Sequence, residues 1–124
     1  MWMSYDDFAD LAFAALDGLP PEVQGWMENV QVVVEDWPTR TQLREAEVPR
    51  GETLLGLYEG VPQTGRSSDY GMVVPDKITI FRGPILDFCD TEAELAREVR
   101  RTVLHELAHH FGIDDDRLVE LGAY

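Results

Sequence analysis

One segment constrains this chain more than any other. From Thr91 to Gly112, Leu95, Val99, Val103 and Leu107 recur every fourth residue. That spacing sets one apolar stripe along a helix, and the stripe needs a core to face. Thr91 followed by Glu94 has the form of a capping box at the start. Gly112 stands where a helix ends in a left-handed residue. The spacing therefore predicts a long helix ending near Phe111, packed along one side against the rest of the molecule.

The other elements are predicted more loosely. Ser4 to Leu16 has helical spacing through Phe8, Leu11, Ala12 and Ala15 or Leu16, with Ser4 as N-cap. Gly18 and the Pro20-Pro21 pair end it. Pro21 suits the first turn of a short helix through Trp26 and Met27. Val30 to Trp37 reads as a strand, and its run Val32 to Val34 predicts burial on both faces. Pro38 to Glu47 is polar and has no clear period. Thr53 to Tyr58 and Lys77 to Phe81 read as strands, the latter with Ile78 and Ile80 on one face. Gly60 to Gly71 reads as a long loop, either a lid or binding loop or a plain mobile loop. Met72 to Val74 is expected to pair with a neighbour, and Pro84 to Cys89 to form a short helical turn. Trp2, Trp26 and Trp37 are expected in packing positions.

Composition fits a globular fold. The chain has 124 residues, 44% hydrophobic and 27% charged, which suits a single domain with its own core over residues 1–124. Its formal net charge is −14. Such a surface repels phosphate backbones and anionic lipid, so neither nucleic acid nor membrane is expected as a partner. Basic peptides are compatible with it. Cys89 is the single cysteine, so no internal disulfide forms, and it reads as a small buried hydrophobe. Asp6, Asp7 and Asp10 interrupt the region where a signal peptide would need an apolar stretch. A soluble cytoplasmic monomer is the expectation.

The long helix also carries every histidine in the chain, in the run His105-Glu106-Leu107-Ala108-His109-His110-Phe111-Gly112-Ile113-Asp114-Asp115. His105 and His109 are four residues apart, so both imidazoles leave one helix face and can share a metal ion. Glu106 stands beside that face, placed to take a proton from a metal-bound water. Catalytic zinc usually takes three protein ligands and keeps one position open. Gly112 lets the chain turn sharply, and Asp115 is the third ligand that the spacing favours. Asp114 and Asp116 are its adjacent alternatives. His110 is one step off the metal face and reads as a supporting or surface group.

The pattern HExxHxxGxxD resembles that of the zincin metallopeptidases, with aspartate in place of the usual third histidine of metzincins, as in snapalysin-type enzymes. In length and motif placement the chain is similar to a family of small bacterial zincin-like proteins. The resemblance implies an α+β fold: a small twisted mixed sheet, a backing helix (Ser4–Leu16) and an active-site helix (Thr91–Phe111). It also implies an edge strand, Lys77–Phe81, lining a peptide or protein substrate. The activity implied is peptide-bond hydrolysis with one zinc ion and Glu106 as general base. Two features depart from metzincins. Met1, Met3, Met27 and Met72 all precede His105, so no methionine turn follows the ligands, and the short stretch after Asp115 predicts a shallow cleft. A catalytically silent metal-binding or protein-interaction module is the alternative. Tyr58, Tyr70 and Tyr124 are candidates for steadying the developing oxyanion, and no spacing selects among them.

Overall fold

The computed structural model describes residues 1–60 and 74–122. In chain order the elements are α1 (Tyr5–Asp17), α2 (Pro21–Trp26), β1 (Val30–Glu35), α3 (Arg40–Glu45), β2 (Gly56–Glu59), β3 (Asp76–Phe81), α4 (Arg82–Phe88), α5 (Glu92–Phe111) and α6 (Asp115–Glu120). This is an α+β architecture with a small mixed sheet. Most of the expected loop Gly60 to Gly71, and Met72 and Val73 of the expected pairing segment, fall outside the described residues.

The sheet has three strands in the order β1-β3-β2. β1 runs parallel to β3, from Val30 opposite Asp76 to Glu35 opposite Phe81. β2 runs antiparallel to β3, from Gly56 opposite Ile80 to Glu59 opposite Lys77. The segment Lys77–Phe81 is therefore the central strand and not the edge strand that the resemblance implied. Ile78, Thr79, Ile80 and Phe81 are all fully buried, as a strand flanked on both sides and covered on both faces should be. β2 takes the edge position, and it starts three residues later than the sequence suggested.

β1 is the other edge, and only Val34 of its valine run is buried. The expected burial on both faces does not hold, because β-branched residues suit any pleated surface and do not report sheet position. Trp2 and Trp37 also stand outside the core, at 80% and 56% exposure. The ring of Trp37 lies against Gly83, where a Cβ would collide with it.

Helices α1 and α5 share one core with the central strand. α1 is capped by Ser4, whose side chain accepts from the Asp7 N–H. Phe8, Ala12 and Leu16 from α1, Ile78 and Ile80 from β3, and Leu95, Val99, Val103 and Leu107 from α5 belong to one buried cluster. All four stripe residues of α5 are fully buried. α5 lies against α1 on one side and against β2 and β3 on another. Thr91 Oγ1 accepts from the Glu94 N–H, while the Glu94 carboxylate accepts from the Asp90 N–H rather than that of Thr91.

Two further elements were not expected or only half expected. α3 starts at a complete capping box between Thr39 and Gln42 and buries no side chain. α4 follows β3 directly, and Arg82 ties the two ends of this region together. Its Nε donates to Asp36 at 2.8 Å, and its Nη1 donates to the Met3 carbonyl.

Thr79 sits fully buried on the central strand, and among the described residues its Oγ1 has no hydrogen-bond partner. A buried hydroxyl without a partner costs desolvation that an isosteric methyl does not. Thr79→Val is expected to raise unfolding free energy by about 1 kcal/mol, whereas Leu95→Ala should lower it by about 2–5 kcal/mol. Urea titration of both variants checks the pair.

Candidate active site on the C-terminal half of α5

The fixed rotation of α5 decides where its polar residues go. With Leu95, Val99, Val103 and Leu107 turned into the core, His105 and Glu106 emerge beside the start of β2 and His109 emerges to solvent. His105 and Glu106 are half-buried and His109 is exposed. The Nε2 atom of His105 is itself buried. One helical turn separates the two imidazoles, the placement that the sequence predicted for a shared metal.

β2 makes this margin a site. Gly56 lies so close to α5 that a Cβ there would come within 2.5 Å of Thr102 Cγ2 and 3.2 Å of the Thr79 carbonyl oxygen. The same Cβ would stand 3.9 Å from Glu106 Cγ. The strand therefore lies directly against the carboxylate-bearing segment of the helix. The main-chain N–H of Tyr58 lies near enough to the Glu106 carboxylate to favour its charged form. Burial pushes the Glu106 carboxyl above the usual carboxylate range, and the neighbouring His109 and the Tyr58 N–H pull it part of the way back. A carboxyl raised by burial in a cleft is the kind of environment found around groups that move protons.

A groove of about 340 Å³ opens between the start of β2 and α5. Thr53, Leu55, Arg101, Thr102, His105 and Glu106 are among the residues that line it. Beyond β3, β2 has no second strand partner among the described residues, so its outer main-chain groups face this side.

The turn after α5 sorts the three aspartates. Gly112 has φ 70° and ψ 34°, the left-handed cap that the sequence predicted. Ile113 N–H then donates back to the Ala108 carbonyl at 3.0 Å. Asp114 is the N-cap of α6, and its carboxylate accepts from the Arg117 N–H at 2.9 Å. That leaves Asp115 and Asp116 in the first turn of α6, both exposed. Among the described residues no three His, Cys, Asp or Glu side chains form a group positioned to hold a metal ion.

The tyrosines are also sorted. Tyr58 Oη donates to Asp76 Oδ2 at 2.6 Å, and its ring stacks on His110 with centroids 4.1 Å apart. Its phenol is pushed well above its ordinary range, by burial first and then by Asp76. This hydroxyl is committed to Asp76. Tyr70 and Tyr124 lie outside the described residues. Sequence reasoning missed the Tyr58–His110–Asp76 cluster, whose members come from three separate elements.

Cys89 is buried, as expected. Burial, then the carboxylates of Glu98, Glu94 and Asp90, push its thiol upward, against the opposing N-terminal ammonium. Raising a thiol's pKa lowers the thiolate fraction at any given pH, so Cys89 should alkylate far more slowly than a free cysteine at about pH 8.5. Iodoacetamide kinetics on native and urea-unfolded protein check this. Gly56→Ala should destabilise the fold by about 1–3 kcal/mol by overpacking the β2–α5 contact. Calorimetry reads the loss, and a crystal structure of the variant should show β2 displaced from Glu106.

Comparisons with known proteins agree with this architecture. Curated proteins give no match to the chain. Among solved structures, a conserved hypothetical protein from Thermus thermophilus is similar in fold. The TM-score is 0.57 at 23% identity, and the alignment covers 88% of this chain and 94% of that one. The model of the zincin-like metallopeptidase family matches residues 27–123, a span that contains His105, Glu106, His109 and Asp115. The chain belongs to the zincin-like metallopeptidase family.

Proposed function

We propose that this protein is a zinc-dependent peptidase in which His105, His109 and Asp115 hold the metal and Glu106 is the general base. The observation that carries the reading is the placement of Glu106. It is half-buried between two imidazole-bearing turns of α5, beside a groove and against an edge strand. Two imidazoles and one carboxylate are a donor set that catalytic zinc takes. Zinc bound there would supply Lewis acidity toward a carbonyl oxygen and would ease deprotonation of a water.

The chain's own residues do the rest. Glu106, with its carboxyl raised by burial, takes a proton from the attacking water and delivers it to the leaving amine. The Tyr58 main-chain N–H lies beside the carboxylate and favours its charged form. The outer edge of β2 offers main-chain donors and acceptors to an extended peptide, which would add as a further strand. The groove lined by Leu55, Arg101 and Thr102 would receive a side chain of that peptide. Asp115 remains the third ligand that the HExxHxxGxxD spacing favours, and the Asp114 carboxylate caps α6.

Zinc titration of the wild type, His109→Ala and Asp115→Ala tests the ligand set. One zinc per chain in the wild type, lost in both variants, is expected. Retention in Asp115→Ala would move the third ligand elsewhere. Glu106→Gln should keep zinc while losing about 10²–10⁴-fold in turnover of a peptide library. Undiminished cleavage by that variant would remove Glu106 from the role of base. Tight zinc with no cleavage by the wild type would identify a binding module instead.

A further inference from the structure

His110 is absent from the proposed ligand set and follows His109 directly. One residue further along a helix is a rotation of about 100°, which carries its side chain away from the face of His105 and His109. The structure shows where it goes. The imidazole lies on the ring of Tyr58, with centroids 4.1 Å apart and planes 14° from parallel. Its Nε2 is 3.7 Å from Asp76 Oδ2, the oxygen that also accepts the Tyr58 hydroxyl at 2.6 Å. Phe111 meets the same imidazole edge-on, with centroids 5.0 Å apart.

What this cluster holds matters for Glu106. β2 is a four-residue edge strand paired only with β3 among the described residues. Short edge strands open locally at low cost unless side chains pin them. The ion pair between Glu59 and Lys77, at 3.8 Å with both side chains over a third exposed, is of the kind that contributes little. Tyr58 is the pinned residue of this strand: its hydroxyl is fixed by β3 and its ring by the last turn of α5. The main-chain N–H of the same residue lies near the Glu106 carboxylate, and a Cβ on Gly56, two residues back, would stand 3.9 Å from Glu106 Cγ.

We infer that His110 is a positioning residue: by stacking on Tyr58 it clamps β2 to α5 and so keeps the Tyr58 main chain beside Glu106. The inference rests on the reading of Glu106 as the base, but its structural part can be measured without metal or substrate. A histidine ring serves here as a flat surface, so another flat ring should replace it and a side chain without a ring should not.

The test compares the metal-free wild type with His110→Ala, His110→Gln and His110→Phe. His110 is 42% exposed at its side chain, so none of these substitutions empties the core. Hydrogen exchange at the Tyr58 amide and the ¹³C resonance of the Glu106 carboxyl are the readouts. In His110→Ala and His110→Gln the Tyr58 amide should exchange about threefold to tenfold faster, with the Val99 amide of α5 as internal reference. The Glu106 resonance should move in both variants. His110→Phe should return both readouts to wild-type values. Zinc affinity should be unchanged in all three. On a cleaved peptide, kcat should fall in the Ala and Gln variants at constant KM and recover in the Phe variant.

An unchanged Tyr58 amide and Glu106 resonance in the Ala and Gln variants would overturn the inference. So would failure of His110→Phe to restore them. Loss of zinc on replacing His110 would overturn it too, by making His110 a ligand. If the wild type cleaves no peptide, the peptidase reading fails by itself, and the exchange and resonance data still decide whether His110 holds Glu106.

Discussion

The candidate site depends on one buried seam. Leu95, Val99, Val103 and Leu107 of α5 are all fully buried against α1 and the sheet. Four side chains in line do more than hold the helix in place: they fix its rotation about its own axis. At about 3.6 residues per turn, slipping the seam by one residue would swing each functional side chain through about 100°. His105, Glu106 and His109 keep their aim because that rotation would expose the whole stripe. Burial of the stripe stabilises the fold and aims the chemistry through the same contacts.

The second constraint is the distance between α5 and β2. The absence of a side chain at Gly56 brings the strand to the helix, and Tyr58, on the same face two residues later, reaches the end of it. Glu106 is enclosed from one side as a result. The groove opens beside it, between the start of β2 and α5. An edge strand normally risks unwanted pairing. Here that free edge is short and lies next to the groove, where an extended peptide could use it.

Parts of this arrangement were legible in the sequence for clear reasons. α1 and α5 could be read because helical period, N-cap and terminator agreed in each. The His105-Glu106-His109 group could be read because four residues on a helix always return to the same face. Strand character was legible in Lys77–Phe81, but its central position was not. Sheet order is a property of distant pairing, and the alternation of side chains says nothing about neighbours. α3 was missed although Thr39 and Gln42 spell its capping box, because the segment has no apolar stripe to give it a period. The capping role of Asp114 was available from its position before an acidic first turn, but three adjacent aspartates hid it. The Tyr58–His110 stack could not be read at all. It joins residues more than fifty positions apart, and nothing local marks either one.

The end of α5 has one more physical property. Its peptide dipoles add along twenty residues, leaving a partial negative charge over the last turn. His109 lies in that turn, and Asp114, Asp115 and Asp116 follow soon after Gly112. The field there favours a dication before any ligand bond forms. It also disfavours an anionic side chain brought to the same spot. The polarity of the helix thus places a charge filter over its last turn, one that would favour cationic and neutral groups there over anionic ones.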